Sequence, residues 1–297
     1  MAETKLYWVR QHSFLYRPIS MGVLQEICAY CVEVPTLCLI LKGSMFTFDF
    51  ERMRWKPICA ISIDVDYLWS YTSLRPGQVF LWGSALEKTT ATGRVISQST
   101  KPYLVENGVL TALRHTSGLR ARPGLIYLNS KVYVFGGCYD GIIHTDKPLF
   151  TAECFSMVKM DWSKLPFMLK GRAAFNPCHF LSLIFLCGGL CRTVETFNTS
   201  TNQYRELPNF PLSRDFQMYG TSTVAFRGKI AVLGFDSLYE WKRETGVRLV
   251  ARHEGCASRS IATPVAYRGF MYVVDAKGVC RVVSLADGRV MTDVSVG

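Results

Sequence analysis

Short runs of apolar and β-branched residues, each bounded by glycine, proline, asparagine or aspartate, recur along the chain. Many short strands separated by turn residues are typical of an all-β fold, and no stretch combines helical periodicity with helix-capping residues. The clearest runs are 37–41, 78–82, 131–135, 182–186, 229–233 and 270–274. This pattern predicts an all-β protein.

The six runs also recur at a regular spacing. They end about 40 to 54 residues apart, which is the period of propellers and related repeat arrays. After several of the runs comes a large residue, then a hydrophilic turn, then a second large residue seven positions on. We expect these two residues to face each other across a hairpin, because the turn folds one strand back beside the other. The clearest pairs are Phe48 with Trp55, Phe155 with Trp162, and Phe197 with Tyr204.

Two of the units carry further detail that resembles the kelch repeat. Gly136-Gly137 and Gly188-Gly189 each end a strand, and a glutamate falls two residues before Phe155 and before Phe197. The resemblance implies a β-propeller whose blades are four-stranded antiparallel sheets, with the second large residue of each pair filling the gap between blades. Glycine pairs suit a strand end where another backbone comes close or φ turns positive.

The repeat covers nearly the whole chain, so we predict one kelch-type propeller over residues 1–297. We expect six blades, one for each run. Five or seven blades are alternatives, because the other units keep one glycine of the pair or none. Residues 1–20 are expected near the ring closure, where an uncovered strand edge would be an aggregation hazard.

Composition limits the classes of binding partner that we expect. The formal net charge is +11, from 34 lysines and arginines against 23 acidic residues, and this favours negatively charged partners. The basic residues are scattered rather than gathered in a block, so nucleic acid is not the expected partner. The longest apolar stretch, 180–190, is too short for a membrane-spanning helix, and we expect no membrane span.

The 11 cysteines are an odd number and lie mostly in apolar surroundings. Reduced, buried thiols explain them better than disulfides, and with no secretory leader recognisable at residues 1–17 we expect a cytoplasmic protein. Cys28 with Cys31 and Cys187 with Cys191 lack a second half-site for zinc. The five histidines accompany no nucleophile motif. We therefore predict no metal, no cofactor and no catalytic residue.

What remains is a surface built from loops on a rigid ring. Arginine recurs in the segments that enter new blades, which in kelch propellers lie near the mouth of the central channel. A ring of guanidinium groups there would suit an acidic peptide. The alternative is that these arginines are solvated or pair with glutamates between blades. The candidates are Arg114, Arg120, Arg122, Arg172, Arg214 and Arg259.

The sequence thus predicts a non-enzymatic scaffold or adaptor that binds another protein, or a larger assembly, through loops at the channel mouth. The alternative is an enzyme of hydrolase or cyclase type that uses the central cavity of the propeller.

Overall fold

The structure is a computed structural model. It describes residues 34–61, 70–89, 95–114, 120–138, 148–191, 193–207, 221–234, 237–242, 245–252, 262–275 and 277–296, with the backbone alone at 84–89 and 95–100. The chain divides into two compact units, Met1–Pro35 and Thr36–Gly297. The expectation for residues 1–20 falls outside the described residues.

All the regular structure among the described residues is β. Six mainly antiparallel sheets form the blades of a propeller ring, as predicted. In the described residues four blades have the expected four strands, the first blade has three, and the sheet of the fifth gains one parallel strand. Blade 1 contains β1 (Cys38–Leu41), β2 (Ser44–Asp49) and β3 (Arg54–Ala60); blade 2 contains β4 (Ser70–Arg75), β5 (Gln78–Thr89), β6 (Val95–Glu106) and β7 (Val109–Ala112); blade 3 contains β8 (Gly124–Leu128), β9 (Lys131–Phe135), β10 (Ala152–Ser156) and β11 (Asp161–Leu165).

The other three blades follow the same order. Blade 4 contains β13 (Cys178–Phe180), β14 (Leu183–Cys187), β15 (Val194–Asn198) and β16 (Gln203–Leu207); blade 5 contains β17 (Thr221–Phe226), β18 (Lys229–Leu233), β19 (Ser237–Lys242) and β20 (Gly246–Arg252); blade 6 contains β21 (Val265–Tyr267), β22 (Phe270–Val274), β23 (Cys280–Ser284) and β24 (Val290–Val294). The short strand β12 (Phe175–Asn176), between blades 3 and 4, pairs in parallel with β17.

The predicted hairpin pairs are present. Phe48 lies opposite Trp55, Phe155 opposite Trp162, and Phe197 opposite Tyr204. The ring centroids of the three pairs are 5.0, 5.0 and 4.8 Å apart. The phenylalanines and Trp55 are buried, whereas Trp162 and Tyr204 on the outer strands are half-buried.

Two tryptophans on outer strands tie neighbouring blades together. The indole N–H of Trp162 in blade 3 donates to the carbonyl of Arg114, just after the outer strand of blade 2. Trp55 in blade 1 does the same to the carbonyl of Val294, at the end of the outer strand of blade 6, over 3.3 Å. The second bond therefore closes the ring between the last blade and the first.

Apolar side chains fill the gaps between blades. Phe80 and Trp82 of blade 2 pack against Leu125 and Phe155 of blade 3, and the successive gaps are filled in the same way. A larger cluster joins blade 6 to blades 1 and 2. Each blade thus buries both faces only through its neighbours, as repeat folds require.

One connection reaches across the ring. Thr263, just before blade 6, donates its backbone N–H to the carbonyl of Tyr71 in blade 2 over 3.1 Å. Its hydroxyl donates to the carbonyl of Leu125 in blade 3 over 3.0 Å. The segment that contains Thr263 therefore occupies part of the space between β4 of blade 2 and β8 of blade 3.

Candidate protein-binding surface

Arg120 and Arg172 occupy equivalent positions before the first strands of blades 3 and 4, and both are buried. Arg120 forms an ion pair with Glu153 at 2.7 Å, and Arg172 forms one with Glu195 at 2.8 Å. All four side chains are at most 1% exposed. These are the glutamates that precede Phe155 and Phe197 by two residues. For Arg120 and Arg172 the structure thus shows the alternative of pairing with glutamates.

The two guanidinium groups have matching sets of further partners. Arg120 donates to the carbonyl of Gly136 over 3.2 Å and to the hydroxyl of Thr151 over 3.1 Å. Arg172 donates to the carbonyl of Gly188 over 2.7 Å and to the hydroxyl of Thr193 over 3.1 Å. Charged groups can be buried when they are both paired and hydrogen-bonded in this way. In each of these two repeats the arginine is thus a buried polar group rather than an exposed cation, and we call the arginine–glutamate pair with its hydrogen bonds the brace of its blade.

The glycine pairs have the predicted role beside these braces. Gly136 has φ +62°, and a Cβ atom there would lie 2.0 Å from the carbonyl oxygen of Arg172. Gly188 has φ +72°, and its Cβ would lie 2.3 Å from the hydroxyl of Thr221. Only glycine meets both demands without strain.

The remaining candidate arginines do not form one group in the described structure. Arg122 is buried, with 2% of its surface exposed, and Arg114 is exposed after the outer strand of blade 2. Arg214 and Arg259 lie outside the described residues. A role of the six arginines in binding a partner stays a prediction.

Three large apolar side chains lie exposed where the connections of blade 3 meet. Phe150, Phe167 and Leu169 are 51%, 72% and 45% exposed. The backbone N–H of Met168 donates to the carbonyl of Phe150 over 2.9 Å, which holds the two segments side by side. We call Phe150, Phe167 and Leu169 the apolar patch. Exposed apolar side chains that cluster mark interaction sites more often than scattered ones do.

The backbone of the apolar patch is hydrogen-bonded to the Arg172–Glu195 ion pair of blade 4. The carboxylate of Glu195 binds Arg172 through one oxygen and accepts the backbone N–H of Leu169 through the other, each over 2.8 Å. Met168, between Phe167 and Leu169, is 3% exposed and packs into the core between blades 3 and 4. The patch is therefore carried on an anchored backbone, which reduces the entropy lost when a partner binds.

Sequence reasoning did not single out the apolar patch. Its signal was present in Leu149-Phe150 and in Pro166-Phe167-Met168-Leu169, apolar residues that stand next to turns instead of within a strand. What the sequence does not show is that Leu149 and Met168 point inward while their neighbours remain exposed.

Among the described residues, the cysteine and histidine side chains do not come together in a disulfide or a metal site. The eight cysteines of that part of the chain are all free, and six of them are buried. No group of three His, Cys, Asp or Glu side chains there is placed to hold a metal ion. His179 is exposed on β13. No helix long and apolar enough to cross a membrane occurs in the described residues.

Burial should control the reactivity of the thiols. It raises the pKa of Cys178 and of Cys280 to about 12, so both stay protonated and unreactive near neutral pH. We expect iodoacetamide at about pH 8 to modify the partly exposed Cys191 in the native protein, and to modify all three only in denaturant. Mass spectrometry of the digested protein measures this. Modification of native Cys178 as fast as Cys191 would show that β13 opens readily.

Comparison with known proteins agrees with this architecture. The family model described as the kelch motif matches residues 119–168, which contain blade 3 and its brace. A sequence search of curated proteins gives no significant match. Among solved structures, one titled "Structure of YjhT" is similar with a TM-score of 0.66 over 88% of this chain and 91% of that chain, at 10% identity. That likeness concerns the fold alone.

The chain is therefore a six-bladed β-propeller. Blade 3 carries the matched kelch motif, as the repeat pattern predicted.

Proposed function

We propose that this protein is a non-enzymatic scaffold that binds another protein through the apolar patch. Kelch propellers generally bind proteins, and loops carried on a rigid ring are where binding residues concentrate. The observation that supports the proposal most directly is the exposure of Phe150 and Phe167 on segments that hydrogen-bond to each other. Exposed phenylalanines are well suited to be the buried anchors of an interface.

We further propose that the protein works in a reducing compartment such as the cytoplasm. The free, mostly buried thiols of the described residues support this. The alternative of an enzyme that uses the central cavity finds less support, because Thr263 and its hydrogen bonds to blades 2 and 3 take up part of that space.

The test replaces Phe150 and Phe167 together with serine. Proteins retained by the tagged variant are compared by quantitative mass spectrometry with those retained by the wild type. We expect the specifically retained partners to be lost, because two apolar anchors disappear, while the melting temperature changes little. Both side chains are more exposed than buried, so the fold gains little from them.

The matched control replaces Val158 and Met160 together, with serine and asparagine. These side chains are 79% and 50% exposed on the β10–β11 turn of the same blade. The control should retain the partners of the wild type. Equal retention by both double variants would overturn the apolar patch as the binding surface.

A further inference from the structure

A second candidate surface is a groove between blades 5 and 6, away from the apolar patch. Its volume is about 210 Å³, which is below the usual range of small-molecule sites and suits one large side chain. The floor is apolar, with Ala231, Leu238 and Val250 from blade 5 and Leu285 from blade 6. The rim carries charge from Arg227, Lys229 and Glu240. The lining therefore combines an apolar hole with charged groups at its edge.

The charges around the groove are strongly unbalanced. Glu240 is 8% exposed, and three cations surround its carboxylate: Lys229 at 2.7 Å, Lys242 at 3.4 Å and Arg248 at 3.5 Å. Arg227 adds a fourth positive charge, with its guanidinium 5.0 Å from the ring centroid of Phe226. Among the described residues that line or border the groove, four are cations and one is a carboxylate.

Glu240 does not offset this excess. Burial opposes its ionisation, but the hydrogen bond and charge of Lys229, together with Lys242, outweigh burial and lower the pKa of Glu240. Its single negative charge is therefore present at neutral pH and is already shared among three cations. Asp287, on the β23–β24 turn, pairs with Arg289 at 3.1 Å and so adds no net charge. The groove attracts anions and offers them an apolar hole beside the cations.

We propose that this groove binds an acidic peptide segment of a partner protein, with one large apolar side chain in the hole and flanking carboxylates at Arg227 and Lys229. The proposal is independent of the apolar patch, and the two surfaces could hold two partners at once.

Three fluorescein-labelled heptapeptides test the proposal by fluorescence anisotropy. The first has a central phenylalanine flanked by Glu and Asp residues, the second has serine at the centre, and the third has lysine in place of every acidic residue. We expect saturable binding of the first peptide alone, weaker as the salt concentration rises from about 50 to about 300 mM, because salt screens the charges. Equal binding of the serine peptide, or no binding of any peptide, overturns the proposal.

Two variants locate the binding. Arg227→Glu should weaken affinity for the phenylalanine peptide about tenfold. Ala286→Trp should abolish binding, because Ala286 is exposed at the lip of the groove and a large side chain there would cover the hole.

Each variant has a counterpart elsewhere in the ring. Lys42, like Arg227, is exposed, has φ +48° and precedes a glycine in a two-residue hairpin turn, so Lys42→Glu reverses the same charge in the same local geometry. Ser200 lies on the β15–β16 turn of blade 4, where Asn202 closes the turn on Asn198 as Gly288 closes it on Ser284 in blade 6. Lys42→Glu and Ser200→Trp should leave the affinity within about twofold. Loss of binding in either control as large as in its counterpart would overturn the proposal.

A last variant separates this groove from the proposed function. The Phe150→Ser, Phe167→Ser double variant should bind the phenylalanine peptide as well as the wild type does. If it lost the peptide while Arg227→Glu retained it, the peptide would bind at the apolar patch, and the groove would be excluded as its site. If the double variant kept both the peptide and all protein partners, the apolar patch would fail and the groove would stand.

Discussion

Replacing Glu195 with alanine is expected to lower the free energy of unfolding by about 3–5 kcal/mol, because it leaves a buried cation without its partner. Arg172 is 0% exposed, and within the described part of the chain its carboxylate partner is Glu195, at 2.8 Å. The change also removes the acceptor for the backbone N–H of Leu169. The loss should therefore reach the apolar patch as well as the brace. Urea unfolding followed by tryptophan fluorescence measures the effect.

The control for this experiment is Glu206→Ala. Glu206 lies directly opposite Glu195 on the neighbouring strand β16 but is exposed. Its replacement should change the free energy of unfolding by less than about 0.5 kcal/mol. Similar losses for the two variants would mean that the brace contributes nothing beyond a surface charge.

Trp82→Ala is expected to have a comparable effect, also about 3–5 kcal/mol, the usual range for removing a large buried aromatic side chain. Trp82 is 0% exposed and packs against Trp162 of blade 3 with ring centroids 5.5 Å apart. Its indole N–H donates to the carbonyl of Arg120 over 2.9 Å, and the guanidinium of Arg120 lies 5.4 Å from its ring centroid. Truncation would empty part of the gap between blades 2 and 3.

Graded variants make this prediction sharper. Trp82→Phe keeps most of the apolar volume and should cost less than Trp82→Ala, while Trp162→Ala should also cost less because Trp162 is half-buried. Lys164→Ala, on the exposed face of β11, should be nearly neutral. A Trp82→Ala protein that melts with the wild type would contradict close packing between these blades.

Much of the fold could be predicted from the sequence because its determinants are local. The pairs Phe48–Trp55, Phe155–Trp162 and Phe197–Tyr204 are separated by one tight turn, so their spacing alone indicates a hairpin. The glycine pairs are visible for a similar reason. Gly136 and Gly188 combine a positive φ, a local conformation that favours glycine, with a neighbouring atom too close to leave room for a Cβ atom.

The site was harder to predict, because its determinants are not local. Arg120 and Glu153 are 33 positions apart, and Arg172 and Glu195 are 23 apart, so the sequence shows arginines that recur without showing what they meet. A recurring arginine suggests a charged rim as readily as a buried brace. The two interpretations differ in how far the arginine side chain is buried, and that depends on how successive blades pack.

The hydrogen bonds of Thr263 have a consequence for the timing of folding during synthesis. Its hydroxyl contacts the carbonyl of Tyr71, 192 residues earlier in the chain. At ribosomal rates of about 5–20 residues per second, roughly 10–40 s separate the synthesis of these two residues. Blades 2 and 3 therefore leave the ribosome long before the segment that bridges them exists. Until then these blades lack this cross-link, and their association rests on the packing between the early blades alone.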